Sequence, residues 1–201
     1  MAKAVGPSAR TRPGPLKPAV FSLSLLPLAW LVWRIAGNDL GPDPVQELAT
    51  ATGEWTLRFL LITLSLTPLR QLSGRIEFVR VRRMVGLFAL FYACLHFFIW
   101  MSLLLAFRWS AIGEELLERP YISVGFVSLL ILIALGATSP KAMVRRMGRN
   151  WKRLHRLVYP AAILGVVHLT WILRTDVGEA ALYGAILAIL LGHRLWRHLT
   201  R

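Results

Sequence analysis

Six apolar stretches follow one another along the chain, and each is close to the length of a helix that crosses a membrane. They cover residues of about 20–37, 55–69, 84–107, 121–138, 154–173 and 180–196. Roughly 17 to 25 residues of helix are needed to cross the hydrocarbon core of a bilayer. A hydrophobic fraction of 56% agrees with this reading. The sequence therefore predicts an all-α integral membrane protein, with a six-transmembrane-helix bundle over residues 20–198.

The N-terminal segment has basic residues before its first apolar stretch, as a signal peptide does. They are Lys3, Arg10, Arg12 and Lys17. The apolar stretch then runs into Trp33 and Arg34 without a small-residue cleavage site, so we interpret it as a retained first span. Residues 1–19 are predicted to be a disordered cytoplasmic tail.

The charged residues between the stretches are sorted by sign. The N-terminal tail, the segments 70–83 and 139–156, and the C-terminal end hold 19 of the 24 Lys and Arg residues. The alternate segments, 38–54, 109–119 and 174–179, hold nine of the ten acids. Because short basic loops stay in the cytoplasm, both termini are predicted to be cytoplasmic. The net charge of +14 is then explained by topology, and no nucleic-acid partner is required.

Several kinds of chemistry are excluded by what the sequence lacks. Its one cysteine, Cys94, lies in an apolar run, so neither a disulfide framework nor a cysteine-ligated metal site is available. It contains no G-x-S-x-G motif and no glycine-rich phosphate loop, and it is too short to include a cytosolic flavin–nicotinamide domain. No internal repeat is apparent.

Two histidines, His96 and His168, lie deep within predicted spans. A polar group there is costly if it is unsatisfied, so it tends to face the bundle and to have a function. Measured from the basic residues Arg83 and Arg153, they lie roughly 20 Å and 22 Å into the membrane. Both spans run in the same direction, so the two imidazoles are predicted at nearly equal depth. Two axial ligands of one haem require this arrangement. The alternative is that each histidine only forms a hydrogen bond to a neighbouring helix.

His155 lies in a basic run at the cytoplasmic start of the fifth span, 13 residues before His168. That separation, about 20 Å, suits a second haem, but on an ideal helix the two side chains point about 140° apart. Pro160 lies between them and could kink the helix. A second haem would also need His193 or a non-histidine ligand. The alternative is an interfacial residue, which is also our interpretation of His193 and His198.

Several short motifs occur in a recognisable order with a recognisable spacing of histidines. They are Leu26-Pro27 with Trp30-Leu31-Val32-Trp33, Asp43-Pro44-Val45, Arg80 to Leu87, Leu95-His96, Arg119-Pro120-Tyr121, and Trp151 to His155 through Tyr159 to His168. With these motifs the chain resembles the MsrQ (YedZ) family, the haem-binding membrane subunits of periplasmic methionine-sulfoxide reductase systems. That family lies within the ferric-reductase-like transmembrane superfamily.

The resemblance implies haem b held by His96 and His168, and a functional role for His155. It also implies flavin mononucleotide (FMN) binding on the cytoplasmic side. Electrons would come from the quinone pool and pass to a periplasmic molybdopterin methionine-sulfoxide reductase (MsrP), for repair of oxidised periplasmic proteins. Two alternatives stay open: a ferric reductase or cytochrome b serving another periplasmic acceptor, and a structural or transport bundle without redox chemistry.

Overall fold

The computed structural model describes residues 16–173 and 178–200, and these residues form helices and no β-strand. The helices are α1 (Leu16–Ala36), α2 (Pro44–Ser73), α3 (Glu77–Ile99, continued by a π-helix over Trp100–Leu104), α4 (Trp109–Glu118), α5 (Pro120–Ala137), α6 (Lys141–Met147), α7 (Arg149–His155), α8 (Val158–Ile172) and α9 (Gly178–Leu199).

A helix occupies each of the six predicted apolar stretches. Among the described residues, three helices are long and apolar enough to cross a membrane: Leu16–Ala36, Glu77–Leu104 and Pro120–Ala137. Of the others, α8 has only 15 residues. Most of the predicted tail lies outside the described residues, but α1 begins at Leu16, four residues before the predicted span. Most of the predicted 174–179 loop also lies outside them.

Helix α2 is much longer than the predicted span at 55–69, because capping groups at both ends extend it. The Asp43 side chain accepts a hydrogen bond from the backbone N–H of Gln46 at 3.0 Å, and Pro44 stands at the first helical position. The far end stops at Gly74, whose φ of 70° suits a residue without a Cβ. The predicted loops at 38–54 and 70–83 are therefore partly helical.

The predicted 109–119 loop is also mostly helical, because α4 covers Trp109–Glu118. An ion pair between Glu115 and Arg119, 3.2 Å long, lies at its end. Pro120 then takes the first position of α5, where a missing N–H costs no helical hydrogen bond. The acids of this segment are thus presented on a short helix and not on an irregular loop.

The core of the bundle is apolar and shared by five helices, with α2 packed on α3 and α5 packed on α8. Small residues allow close approach within it, and Ala89, Ala161 and Ala162 have no exposed surface. Its larger buried members include Leu57, Leu60, Leu64, Val85, Phe88, Tyr92, Leu129, Leu132, Tyr183 and Leu187.

Tyr92 of α3 joins α1 to this core through its hydroxyl. The hydroxyl donates to the carbonyl oxygen of Ser24 at 2.9 Å and accepts from the N–H of Leu28 at 3.1 Å. These two backbone groups are four residues apart, as partners in a helix normally are. The Tyr92 side chain therefore bridges the hydrogen-bond ladder of α1 just after Pro27.

The predicted fifth span is broken near its start, in the turn before Pro160, where a proline removes a helical hydrogen bond. Helix α7 ends at His155 and α8 begins at Val158, so His155 and His168 lie on different helices. Pro160 occupies the first turn of α8, where the proline N needs no helical partner. Because His155 and His168 are not on one continuous helix, the angle of 140° calculated for an ideal helix does not apply to them.

Candidate functional site

His96 lies on α3, and its ring packs against α2. Its Nδ1 lies 2.8 Å from the carbonyl oxygen of Ala49. Because a carbonyl oxygen can only accept, Nδ1 carries the proton and Nε2 keeps its lone pair. Gly53, one turn after Ala49, makes the close approach possible, since a Cβ there would lie 3.1 Å from Cε1 of the ring.

His168 lies on α8, and its ring packs against α5 in the same way. Its Nδ1 lies 2.7 Å from the carbonyl oxygen of Tyr121. Gly125, one turn later, faces the ring so closely that a Cβ there would lie 2.8 Å from both Cε1 and Nδ1. This histidine is therefore also held as the tautomer with a free Nε2.

Each imidazole ring lies in a site formed by a histidine, a backbone carbonyl and a glycine. The two imidazole sites correspond residue by residue. Each joins a histidine to a carbonyl 47 residues earlier. The first imidazole site contains Ala49, Gly53 and His96. The second contains Tyr121, Gly125 and His168, each 72 positions after its counterpart. Helices α2 and α3 thus form the same local arrangement as α5 and α8. Sequence reasoning missed this correspondence.

The two imidazole sites place their rings beside each other. The ring centres of His96 and His168 are 6.2 Å apart, and the ring planes are inclined at 80°. An imidazole nitrogen binds a metal ion at about 2.0–2.1 Å, so rings on opposite sides of one ion have centres roughly 6 Å apart. Neither Nε2 has a hydrogen-bond partner among the described residues, and both rings are only partly buried. The pair predicted from depth is therefore brought together with two free nitrogens.

Phe91, Tyr92, Phe97 and Phe98 are neighbours of His96 in the sequence, but their side chains do not all point towards the histidine pair. Tyr92 faces α1, as described above, while Phe91 and Phe98 are 41% and 53% exposed on the outside of the described bundle. Phe97 packs on Phe126 of α5, with ring centres 5.8 Å apart. Helical phase explains the difference, since neighbouring residues on one helix cannot all point the same way.

The helix that carries His96 changes its winding one turn beyond the histidine. Trp100–Leu104 forms a π-helix, in which the N–H of Leu105 bonds to the carbonyl of Trp100 at 3.0 Å. Ala106 and Phe107 then take left-handed conformations, with φ of 47° and 55°. π-Helical turns are frequent at functional sites, although the sequence carries no simple signal for them.

His155 has a different environment, which ties α7 to the end of α5. Its ring stacks on Trp151 with centres 4.0 Å apart, and its Nε2 lies 3.1 Å from the Thr138 hydroxyl oxygen. The Trp151 N–H donates to the Thr138 carbonyl at 2.9 Å. No ring contact or hydrogen bond in residues 16–173 and 178–200 joins His155 to His193 or His198. These last two instead line a cavity near the end of α9.

Comparisons with known proteins identify the family. The protein-family model described as ferric reductase like transmembrane component matches residues 50–166, which include His96 and His155. A protein of Xanthomonas euvesicatoria pv. vesicatoria (strain 85-10) is 48% identical over 190 residues, 92% of this chain and 87% of its own length. A Rhodospirillum rubrum protein is 47% identical over 178 residues, 88% and 86% of the two lengths.

Both relatives bear the name protein-methionine-sulfoxide reductase heme-binding subunit MsrQ. The similarity extends along nearly the whole chain and well beyond the segment that the family model matches. The chain is therefore a membrane protein that belongs to the MsrQ family, within the ferric-reductase-like transmembrane superfamily.

Proposed function

We propose that the chain is the haem-binding membrane electron-transfer subunit of a methionine-sulfoxide reductase system. His96 and His168 are the axial ligands of one haem b. The observation that carries this proposal is the pair of imidazoles 6.2 Å apart, each held through Nδ1 by a backbone carbonyl. The names of the relatives support the same assignment.

The donor set fits haem iron. Histidines that bind a metal usually donate their second ring N–H to a carbonyl or carboxylate, which fixes the tautomer and the ring orientation. Ala49 and Tyr121 supply those carbonyls here. Haem iron between two imidazoles takes up and releases single electrons. The chain contributes the ligands, their tautomers and the glycines that let the rings approach the helices.

The proposed topology has six membrane spans in a bacterial inner membrane: α1, α2, α3, α5, α8 and α9. Both termini lie on the cytoplasmic side. Three of these helices meet the length and apolarity expected of a span. The sorting of basic and acidic segments supports the remaining spans and the orientation. Under this topology Ala49 and Gly53 lie in the periplasmic half of α2, so the histidine pair is nearer to the periplasmic side.

Electrons are proposed to come from the quinone pool and to leave on the periplasmic side, to the molybdopterin subunit MsrP. The periplasmic segments among the described residues are too short to form a catalytic domain. Helix α4 presents exposed acids, including Glu114 and Glu118, and Asp43 and Glu47 lie at the start of α2. These acids offer a negative surface for a partner of complementary charge. FMN binding on the cytoplasmic side and a functional role for His155 remain predictions from the family.

The two alternatives differ in how they relate to the site. A ferric reductase or another cytochrome b would use the same histidines and differ only in its acceptor. A structural or transport bundle would use each histidine as a bond between helices, as polar residues in membranes often are. The two matching imidazole sites leave both Nε2 atoms without partners in the described residues. This favours a ligand-binding role.

The experiment is carried out in membranes that contain the full chain. A quinol analogue is added to reduce the haem, followed by the purified molybdopterin partner and methionine sulfoxide, while the haem spectrum is followed. The proposal predicts reoxidation only when both additions are present. A haem that stays reduced, or that reoxidises equally well without the partner, contradicts it. Reoxidation by ferric chelates alone would favour the ferric-reductase alternative.

A further inference from the structure

A cavity of about 360 Å³ lies between α2 and α9, away from the histidine pair. On α2 it begins at Thr67, 14 residues beyond Gly53, which is about 21 Å along a helix. Its polar lining comes from Thr67 and Gln71 on α2, and from His193, Arg194, Arg197 and His198 on α9. No acidic side chain lines it among the described residues.

The cavity lining contains buried polar atoms without partners. They are the Thr67 hydroxyl oxygen, Nδ1 of His193 and Nε of Arg194. In the described part of the chain these three are all the buried side-chain nitrogen and oxygen atoms that lack a hydrogen bond. Such atoms are costly and need a partner. All three belong to residues that line this one cavity, so the unused hydrogen-bonding capacity of the described core is concentrated around it.

Arg194 is anchored at the cavity by its other nitrogens. One donates to the Tyr159 hydroxyl at 2.6 Å and another to the Leu64 carbonyl at 2.5 Å, and the guanidinium lies 5.0 Å from the Tyr159 ring centre. None of these partners carries a negative charge. None of the ion pairs in residues 16–173 and 178–200 includes Arg194 or Arg197, and Arg82 repels Arg194.

We propose that this cavity is a binding site for a phosphate group, which accepts from Arg194, His193 and Thr67. Water could satisfy the unpaired atoms, but it would leave the guanidinium charge without a counter-ion. A phosphate provides both, because it offers acceptor oxygens and matches the donor geometry of arginine. A phosphate at this position would also relieve the repulsion between Arg82 and Arg194.

The phosphate could come from an anionic lipid headgroup or from a soluble phosphate. Large exposed apolar side chains lie within a few residues of the cavity lining on the same two helices: Leu69, Leu72, Leu195, Trp196 and Leu199. They provide a surface for acyl chains beside the charged lining. A soluble phosphate would use the polar lining alone, so the two sources are separated by whether an acyl chain is required.

The test is native mass spectrometry of the full chain in a phosphate-free detergent. Phosphatidylglycerol, inorganic phosphate and diacylglycerol are added separately. We expect an adduct with phosphatidylglycerol, with inorganic phosphate, or with both, and none with diacylglycerol. Arg194→Gln should weaken that adduct about tenfold or more, as expected for loss of a charged hydrogen-bond donor. The matched control is Arg75→Gln, which removes the same charge from an exposed position outside the cavity and should bind as the wild type does.

Thr67→Val provides a second test that preserves side-chain shape. It should weaken the adduct while leaving thermal stability unchanged or raised, because it removes an unpaired hydroxyl. Binding of phosphatidylglycerol alone identifies the lipid as the source, and binding of inorganic phosphate identifies the soluble ion. The proposal is overturned if neither phosphate compound binds the wild type, if diacylglycerol binds equally, or if Arg194→Gln and Thr67→Val bind as the wild type does.

Discussion

Gly125 and His168 are in such close contact that a Cβ on the glycine would lie 2.8 Å from the imidazole ring. Because real side chains do not approach so closely, Gly125→Ala must displace the ring. We expect this substitution to weaken haem binding by about 1–3 kcal/mol, the usual cost of overpacking. Haem titration of the purified variants measures this.

Gly53→Ala provides a graded comparison, since its Cβ would lie 3.1 Å from the ring of His96. We expect a smaller effect there than at Gly125. Gly113→Ala, where the Cβ meets nothing within 4 Å, is the control and should bind haem normally. Equal haem affinity in all three variants would show that the glycines do not set the position of the rings.

Tyr92→Phe tests the bridge between α1 and α3. The substitution removes the hydroxyl that bonds to Ser24 and Leu28 and leaves these backbone groups without it. We expect a loss of about 1–3 kcal/mol in stability, with the haem spectrum unchanged. Thermal unfolding in detergent measures this. Tyr121→Phe, which removes a hydroxyl bonded only to exposed Arg119, should have little effect; an equal loss in both variants would contradict the account.

His155→Ala tests whether a second haem depends on His155. In the structure its Nε2 is occupied by the Thr138 hydroxyl, and its ring stacks on Trp151. We therefore expect the variant to keep one haem per chain with the wild-type spectrum and to lose some stability. A fall in haem content from two per chain to one would instead show that His155 is a ligand.

The pairing of His96 with His168 could be predicted from the sequence, because few ionisable residues occur in the predicted spans and charge sorting predicted the same direction for the two spans that carry them. The tautomers and the role of the glycines could not, since they depend on backbone carbonyls of other helices. The 72-residue offset was visible in the sequence, but Ala49 and Tyr121 share no side-chain chemistry that would draw attention to it.

Local chain geometry was harder to predict than the spans. Pro160 indicated a kink, and the structure has a break between two helices in the turn before it, at residues 156–157, which leaves the proline in the first turn of α8. Helix α4 was predicted as a loop because its charges resemble those of an exposed segment. The cavity at Arg194 was missed because histidines among basic residues near a helix end are usually solvated.

The most direct test of the central claim is the absorption spectrum and haem content of the purified chain, compared with His96→Ala and His168→Ala. We predict a low-spin haem b spectrum with one haem for this site in the wild type, because two imidazoles bind the iron. Either substitution should abolish the low-spin spectrum, while His198→Ala, at the distant end of α9, should preserve it. A low-spin spectrum that survives at full intensity in His96→Ala or His168→Ala would contradict the assignment of the ligands.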